Sequence, residues 1–486
     1  MKKILSVFMA LLVAFLLSAT AFAKSESKSV PIINVTGFAR TNLVMDKGEE
    51  TEKRVFSPSN DSITALLKNA APDILAFLLF GNNRRAAKAL VPDLNELFEP
   101  LRFDDSGKPV YNNISLEKES GGSNGNYTFR YDWRYDVMDI ANNLNEFIHY
   151  VKNKESAEKV ALVSESMGGA VTMAYLYLYG YNDVSAVVMC SSALFGITLM
   201  GDIFTKNLNI NSKYLMGYLK GFIQGGSADK VLIRGMITTF GTVLANPLTK
   251  RLNSFIEDEK DYIYKESLCN LFGNIPGLWS FIPDEYYENA KKTMLDETQN
   301  AELIKTIDVY HYNVRPNTEK ILKEIKSNGV TVAFISNYGL YSFPASENGD
   351  YMSDFLIDTK FTSGGAVCSG VDSTLGENYV QANPDGHNHL SCDGQIDAST
   401  CMFPENTWFV KGMIHTWYNS DYHELVNWII AAGESADVYS NKKFPQFLSD
   451  CNDDGTLEIL SKENSNPLCD KITVHTIAEF IKGLFN

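Results

Sequence analysis

The sequence predicts an α/β protein with a mostly parallel sheet and an inserted helical cap. Three observations predict it. Short apolar runs alternate with amphipathic stretches from residue 30 to about 196, and again from about 316. Such alternation is the pattern of strands joined by crossover helices. Between those parts, residues 197–315 lose the alternation and carry apolar helical patches. Finally, Val160–Val163, a buried-strand run, meets Met167–Leu178, a buried-helix run, through the tight small-residue turn Ser164-Glu165-Ser166-Met167-Gly168.

The elements follow in order. Lys2 and Lys3, the apolar stretch Ile4–Leu17 and Ala21-Phe22-Ala23 read as a secretory signal peptide over residues 1–23, cut before Lys24, so an exported protein is expected. The first core part is 24–196. It opens with a strand at Val30–Val35 that ends in the glycine turn Thr36-Gly37-Phe38-Ala39-Arg40. Residues 84–100 suit a helix, and the polar stretch 103–126 suits a surface loop. Tyr127–Tyr131 alternates as a strand. From Val137, apolar residues at 140, 141, 144, 147, 148 and 151 mark a helix with one buried face. Val184–Cys190 is the next strand. The cap, 197–315, holds patches at Tyr214–Leu219, Met236–Leu244 and Pro276–Pro283. The second core part, 316–486, is expected to hold a helix at 317–328, a strand at Val330–Ile335, long loops over 337–400 and a last core strand at Trp408–Met413. A helix then starts at Ser420 or Asp421, with Glu424 placed for a capping box. Residues 434–470 are irregular, and Thr473–Phe485 is amphipathic.

The 486 residues allow one large core or two smaller ones. The formal charge of -16 disfavours a nucleic-acid partner. No segment after the signal peptide is long and apolar enough to span a bilayer. Export permits disulfides among the seven cysteines, with Cys392–Cys401 and Cys451–Cys469 the local candidates and Cys190 a buried thiol.

The turn around Ser166 carries the chemistry. It is a Gly-x-Ser-x-Gly nucleophile elbow with Ser164 in the first glycine's place, and it implies the α/β-hydrolase fold. A turn this tight strains the backbone and lifts the Ser166 hydroxyl clear of the sheet. The amide of Met167 then faces the developing oxyanion, and the amide of Phe38 is the expected second donor. On this fold the order is Ser, acid, His. His415 directly follows the last core strand and is the expected base; His423 lies inside the next helix. Asp393, in an Asp-Gly turn before the His415 strand, is the expected acid, with Asp397 and Asp350 as alternatives.

Several pieces together resemble the lecithin:cholesterol acyltransferase family of lipid acyltransferases and phospholipases. Tyr131-Asp132-Trp133-Arg134 resembles its Tyr-Asp-Trp-Arg. Ser166-Met167-Gly168-Gly169 resembles its nucleophile turn. Asp393-Gly394 with Ile396 resembles its acid motif, and the segment around Trp279 resembles its Trp-rich cap. The chain departs from the family at Ser164, at Glu165 and in the flanks of the acid motif. The resemblance implies a fatty-acyl ester substrate, transient contact with a membrane or micelle surface, and Asp132, Trp133 and Trp279 near the substrate.

The expected function is therefore a secreted serine acyl hydrolase or O-acyltransferase acting through an acyl-Ser166 intermediate. The rival readings are a small-ester esterase or peptidase on the same fold, and an inactive fold that binds lipid. Glu165 is expected to put negative charge near the acyl site. No cofactor or metal is expected: Asp385–His389 and Asp450–Leu457 have metal-like spacing but read as turns. Oligomeric state is left open.

Overall fold

The computed structural model describes residues 30–466, apart from 57–81, 346–348, 452–454 and scattered positions between 222 and 240. The signal-peptide stretch and Thr473–Phe485 lie outside the described residues, as do the centre of the 450–457 loop and much of the Met236–Leu244 patch.

A nine-stranded sheet forms the centre. Its strands in chain order are β1 (Ile32–Val35), β2 (Gly121–Ser123), β3 (Asn126–Phe129), β4 (Val160–Glu165), β5 (Val184–Cys190), β6 (Thr331–Tyr338), β7 (Thr407–Lys411), β8 (Phe447–Ser449) and β9 (Glu458–Ile459). In space the order is β9-β8-β7-β6-β5-β4-β1-β3-β2. All the inner pairings are parallel; only the outermost strands, β2 and β9, pair antiparallel. Parallel strands are covered on both faces, which is why they read as unbroken apolar runs. All eight residues of β6 are buried.

Neighbouring residues on a strand point to opposite faces. Leu162 joins one core with Ile33, Val35 and Met173; Val163 joins the other with Val188, Ile335 and Val410. Helices α1 (Asn83–Phe98), α2 (Val137–Glu155) and α3 (Met167–Tyr179) follow in sequence. The apolar stripe of α2 (Ile140, Ala141, Leu144, Ile148 and Val151) is buried as its spacing predicts. Asp136 caps its start by accepting from the Met138 N–H, and Ser156, at φ 52°, ends it.

The cap comprises α4 (Thr198–Phe204), α5 (Ser212–Gly221), α6 (Thr242–Ile263), α7 (Asp284–Met294) and α8 (Ala301–Val309). It has a further piece that the sequence did not assign to it. Helix α1 packs along α6: Arg84 pairs with Glu259 at 2.8 Å, and Asn95 donates to the Glu266 carbonyl at 2.9 Å. The cap is therefore built from two stretches of chain about 170 residues apart, as these contacts show.

After the cap come α9 (Thr318–Ser327), β6, the loops to β7, and α10 (Ser420–Ala432), which covers the second core face with Tyr422, Leu425 and Ile429. The capping differs from expectation. Asn419 is the N-cap, accepting from the Tyr422 N–H, and Glu424 pairs with Lys443 instead.

Candidate active site

β4 ends at Glu165 and α3 begins at Met167, so Ser166 alone makes the turn between them. Its backbone sits at φ 52° and ψ -121°. For a residue with a Cβ this costs of order 1–3 kcal/mol and persists only where neighbours enforce it. Here they do. The Ser166 N–H donates to the Cys190 carbonyl, and the Ser166 carbonyl accepts from Gly169 and Ala193 at 3.0 and 2.9 Å.

The small residues are required by contact. A Cβ on Gly168 would stand 2.3 Å from the Val35 carbonyl oxygen, and one on Gly37 would stand 2.8 Å from the Ser166 Cβ. The strand, the helix and the Thr36–Arg40 turn thus meet at van der Waals limit around Ser166. Ser164 is accommodated differently from a glycine. It is fully buried, its hydroxyl pairs with Thr172 at 2.7 Å, and Ser192 donates to its carbonyl at 2.7 Å. Met167 is fully buried at the first turn of α3.

His415 lies four residues beyond β7. Its Nδ1 is 2.7 Å from Asp354 Oδ2, and its backbone N–H donates to the Asp354 carbonyl at 2.8 Å. Asp354 is fully buried. Its other oxygen accepts from the N–H groups of Leu356 and Ile357 at 3.1 and 2.7 Å. The next residue, Phe355, is held at φ 88°. An imidazole that donates from Nδ1 to a fixed carboxylate keeps Nε2 as its acceptor. The loop carrying His415 is tied to the nucleophile turn through Tyr418, whose hydroxyl donates to the Cys190 carbonyl at 3.2 Å. That same carbonyl accepts from Ser166.

Asp393, expected beside His415, is elsewhere. Its carboxylate binds Lys411 Nζ at 2.5 Å, the Tyr338 hydroxyl at 3.0 Å and the Ser391 hydroxyl. Burial would raise its pKa, but the Lys411 ammonium and these hydrogen bonds outweigh burial and hold it below the usual carboxylate value. Asp397, one alternative, accepts from Tyr379, Ser399 and the Ala382 N–H. Asp350, the other, lines an open groove with Asp284 and Asp358. The carboxylate that meets His415, which the sequence reading did not single out, is Asp354, immediately after the point where Leu340–Tyr341 pairs with Met352–Ser353. The signal was its place, a carboxylate shortly after the strand that precedes β7.

Ser166 opens into an apolar cavity of about 640 Å³. Its walls include Phe38, Trp133, Phe204, Phe281 and Met200, and among the described lining residues Ser166 alone carries a hydroxyl. The Phe38 ring lies 4.4 Å from Trp133 and 5.9 Å from Phe281. Cap and core meet here, since the Gly277 N–H donates to the Arg134 carbonyl at 3.0 Å. Two expected substrate residues stand back from the cavity. Asp132 is engaged by Arg134 through its Nε at 2.9 Å and its terminal nitrogen at 2.6 Å. Trp279 packs behind the wall against Phe204 and donates to the Gly273 carbonyl at 2.8 Å. Glu165 is also absent from the lining; it faces a separate polar recess with Cys190, Tyr418, Tyr422 and His423.

The Asp385–His389 stretch is tied into the surrounding structure. His389 is fully buried between Gln446 at 2.8 Å and Asp385 at 2.9 Å, and His387 stacks on Tyr439. Among the described residues no group of three or more His, Cys, Asp or Glu side chains is placed to hold a metal ion. Cys392 and Cys401 are free thiols, as are the other described cysteines; Cys469 lies outside the described residues.

No protein-family model and no curated protein matches the chain. Among solved structures, one described as the crystal structure of the Tle4–Tli4 complex aligns with 36% of this chain and 48% of that chain, about half its length, at 17% identity and a TM-score of 0.20. An overlap of that extent carries no weight for fold or function, so the chain's own geometry has to carry the reading: a mostly parallel α/β sheet with Ser166, His415 and Asp354 at one end of its strands.

Proposed function

We propose that this chain is an α/β-hydrolase-type serine acyl hydrolase or O-acyltransferase acting on fatty-acyl esters. Ser166 is the nucleophile, His415 the general base and Asp354 the acid that orients it. The single observation that carries the reading is a strained serine opening into a cavity lined almost wholly by apolar side chains, its turn tied through Cys190 and Tyr418 to the loop on which His415 is bonded to a buried carboxylate.

In this reading Ser166 Oγ attacks the ester carbonyl while His415 Nε2 takes its proton. Asp354 holds the Nδ1–H tautomer and stabilises the imidazolium that forms. The amides of Met167 and Phe38 receive the oxyanion. The protonated His415 then gives its proton to the leaving alcohol. The acyl-enzyme is resolved when His415 deprotonates water, or a second alcohol, for attack on the same carbonyl. The acyl chain occupies the cavity between Phe38, Trp133 and the cap. A cavity of 640 Å³ falls within the roughly 300–1,000 Å³ range of ligand sites.

Hydrolysis of p-nitrophenyl esters of increasing chain length tests this. Each added CH2 that the cavity buries contributes about 0.8 kcal/mol, so kcat/KM rises about fourfold per CH2 until the cavity is full. Ser166→Ala abolishes turnover of every ester. A flat profile, or turnover surviving in Ser166→Ala, contradicts the proposal.

A further inference from the structure

Glu165 occupies an unusual position. It immediately precedes the nucleophile, yet its side chain points to the opposite side of the sheet from the acyl cavity, into a recess of about 310 Å³. The side chain is only 13% exposed, and Oε2 accepts no hydrogen bond. Among the described residues the cation paired with it is Arg40, whose Nε lies 3.7 Å from Oε2. Arg40 ends the Thr36–Arg40 turn. That turn rests on Ser166 at Gly37, is pinned at its start by the Tyr131 hydroxyl on the Thr36 carbonyl at 2.6 Å, and holds Ala39 at φ 57°. The turn is thus fixed at its first residue by Tyr131, in its middle by Ser166, and at its last residue by Glu165.

We propose that Glu165 is a positioning residue: its carboxylate anchors Arg40 and thereby fixes the Phe38 N–H over Ser166, where the oxyanion forms. The proposal rests on the reading of Ser166 as the nucleophile and Phe38 as an oxyanion donor. Such donors act through preorganisation, so a turn held at one end only loses transition-state stabilisation without losing substrate affinity.

The titratable and charged groups around Glu165 come from every element packed on it. They are Arg40 after β1, Tyr131 after β3, Cys190 at the end of β5, His415 and Tyr418 after β7, and Tyr422 and His423 on α10. Burial raises the Glu165 pKa above the usual glutamate value, opposed by Arg40, His415 and His423. The anchor needs the ionised form, so it is present above that raised value and is lost as pH falls through it.

The test is a double-mutant cycle on the full chain: wild type, Glu165→Gln, Arg40→Ala and the double variant. The readouts are kcat and KM on a soluble short-chain ester and the rate of fluorophosphonate addition to Ser166. Each single variant loses about tenfold in kcat, below the ~10²–10³ of a donor removed outright, with KM unchanged within about twofold. The double variant is no slower than either single one. The wild-type advantage over both closes as pH falls. Additive losses in the double variant, a ratio constant across pH, or an unchanged kcat would overturn the anchor. If Glu165→Gln fails to fold, Arg40→Ala alters a half-exposed side chain, and its pH-dependent ratio to wild type decides the matter. Wild type without an adduct sinks the reading of Ser166 itself, a result distinct from a labelled wild type with additive losses.

Discussion

Two buried carboxylates stand at the same end of the sheet, each with one basic partner near β7. Asp354 holds His415 at 2.7 Å and Asp393 holds Lys411 at 2.5 Å. Asp354 is fully buried, and the Asp393 side chain is 5% exposed. Both accept additional hydrogen bonds from the loop that carries them. The difference lies in the partner. Lys411 ties the loop that carries Asp393 to the end of β7, a structural contact. An imidazole has two ring nitrogens, so while Nδ1 of His415 faces Asp354 its Nε2 is left to move a proton, and the same arrangement becomes a candidate for chemistry. Position separates them too: His415 is tied through Tyr418 and Cys190 to the Ser166 turn, while Lys411 and Asp393 line a polar cleft beside α5.

The comparison can be broken at its strongest point. Asp354→Asn leaves the fold intact but favours the wrong imidazole tautomer. By analogy with other triads, kcat falls by about 10³–10⁴ with little change in melting temperature. Steady-state kinetics beside a thermal melt checks this; a loss below tenfold means Asp354 is only structural.

Asp393→Asn should do the reverse. It strands the Lys411 ammonium in a buried site, which costs about 3–5 kcal/mol of stability, while kcat on the folded fraction stays within a few-fold. Urea denaturation measures the loss. The pH dependence has a definite sign. The folded-state pKa of Asp393 lies below its ordinary value, so its contribution is complete above pH ~4 and is lost as pH falls through the depressed value. The variant should therefore differ most from wild type at neutral pH and least in acid.

A third carboxylate, Asp136, sharpens the contrast because it has no cation partner among the described residues. Burial lifts it to about 7 even though the Met138 N–H pulls the other way. A raised folded pKa stabilises at low pH, and that stabilisation disappears as pH rises from the unfolded value towards 7. Asp136→Asn retains a capping oxygen and removes the charge. It should melt higher than wild type at pH 8, by about 1 kcal/mol or more, with the gap closing towards pH 4. Equal melting curves at both pH values would show that Asp136 is not desolvated as described.

The same carboxylates show what was readable in the sequence. Ser166 and His415 were legible because their signals are local: a small-residue turn between a strand and a helix, and a histidine just beyond a strand. Alternation of apolar runs likewise located β1, β4, β5, β6 and β7. Choosing between Asp354 and Asp393 needed the path of a 61-residue excursion between Asp354 and His415, which no local pattern encodes. Asp393 sits in an Asp-Gly turn that resembles a family motif, yet Lys411, itself inside a strand, claims its carboxylate. Helix α1 was visible as a helix; its packing on α6 was not, because the contacts cross about 170 residues. Trp279 was recognised as part of the cap but is turned behind the wall formed by Phe204, a matter of side-chain packing.

The most direct measurement is the rate at which a fluorophosphonate adds to Ser166, followed by intact mass, in wild type, Asp354→Asn and Asp393→Asn. The account predicts one adduct on Ser166, formed at similar rates in wild type and Asp393→Asn and at least ~10³ times more slowly in Asp354→Asn. An unlabelled wild type, or slowing in Asp393→Asn with Asp354→Asn unimpaired, would contradict it.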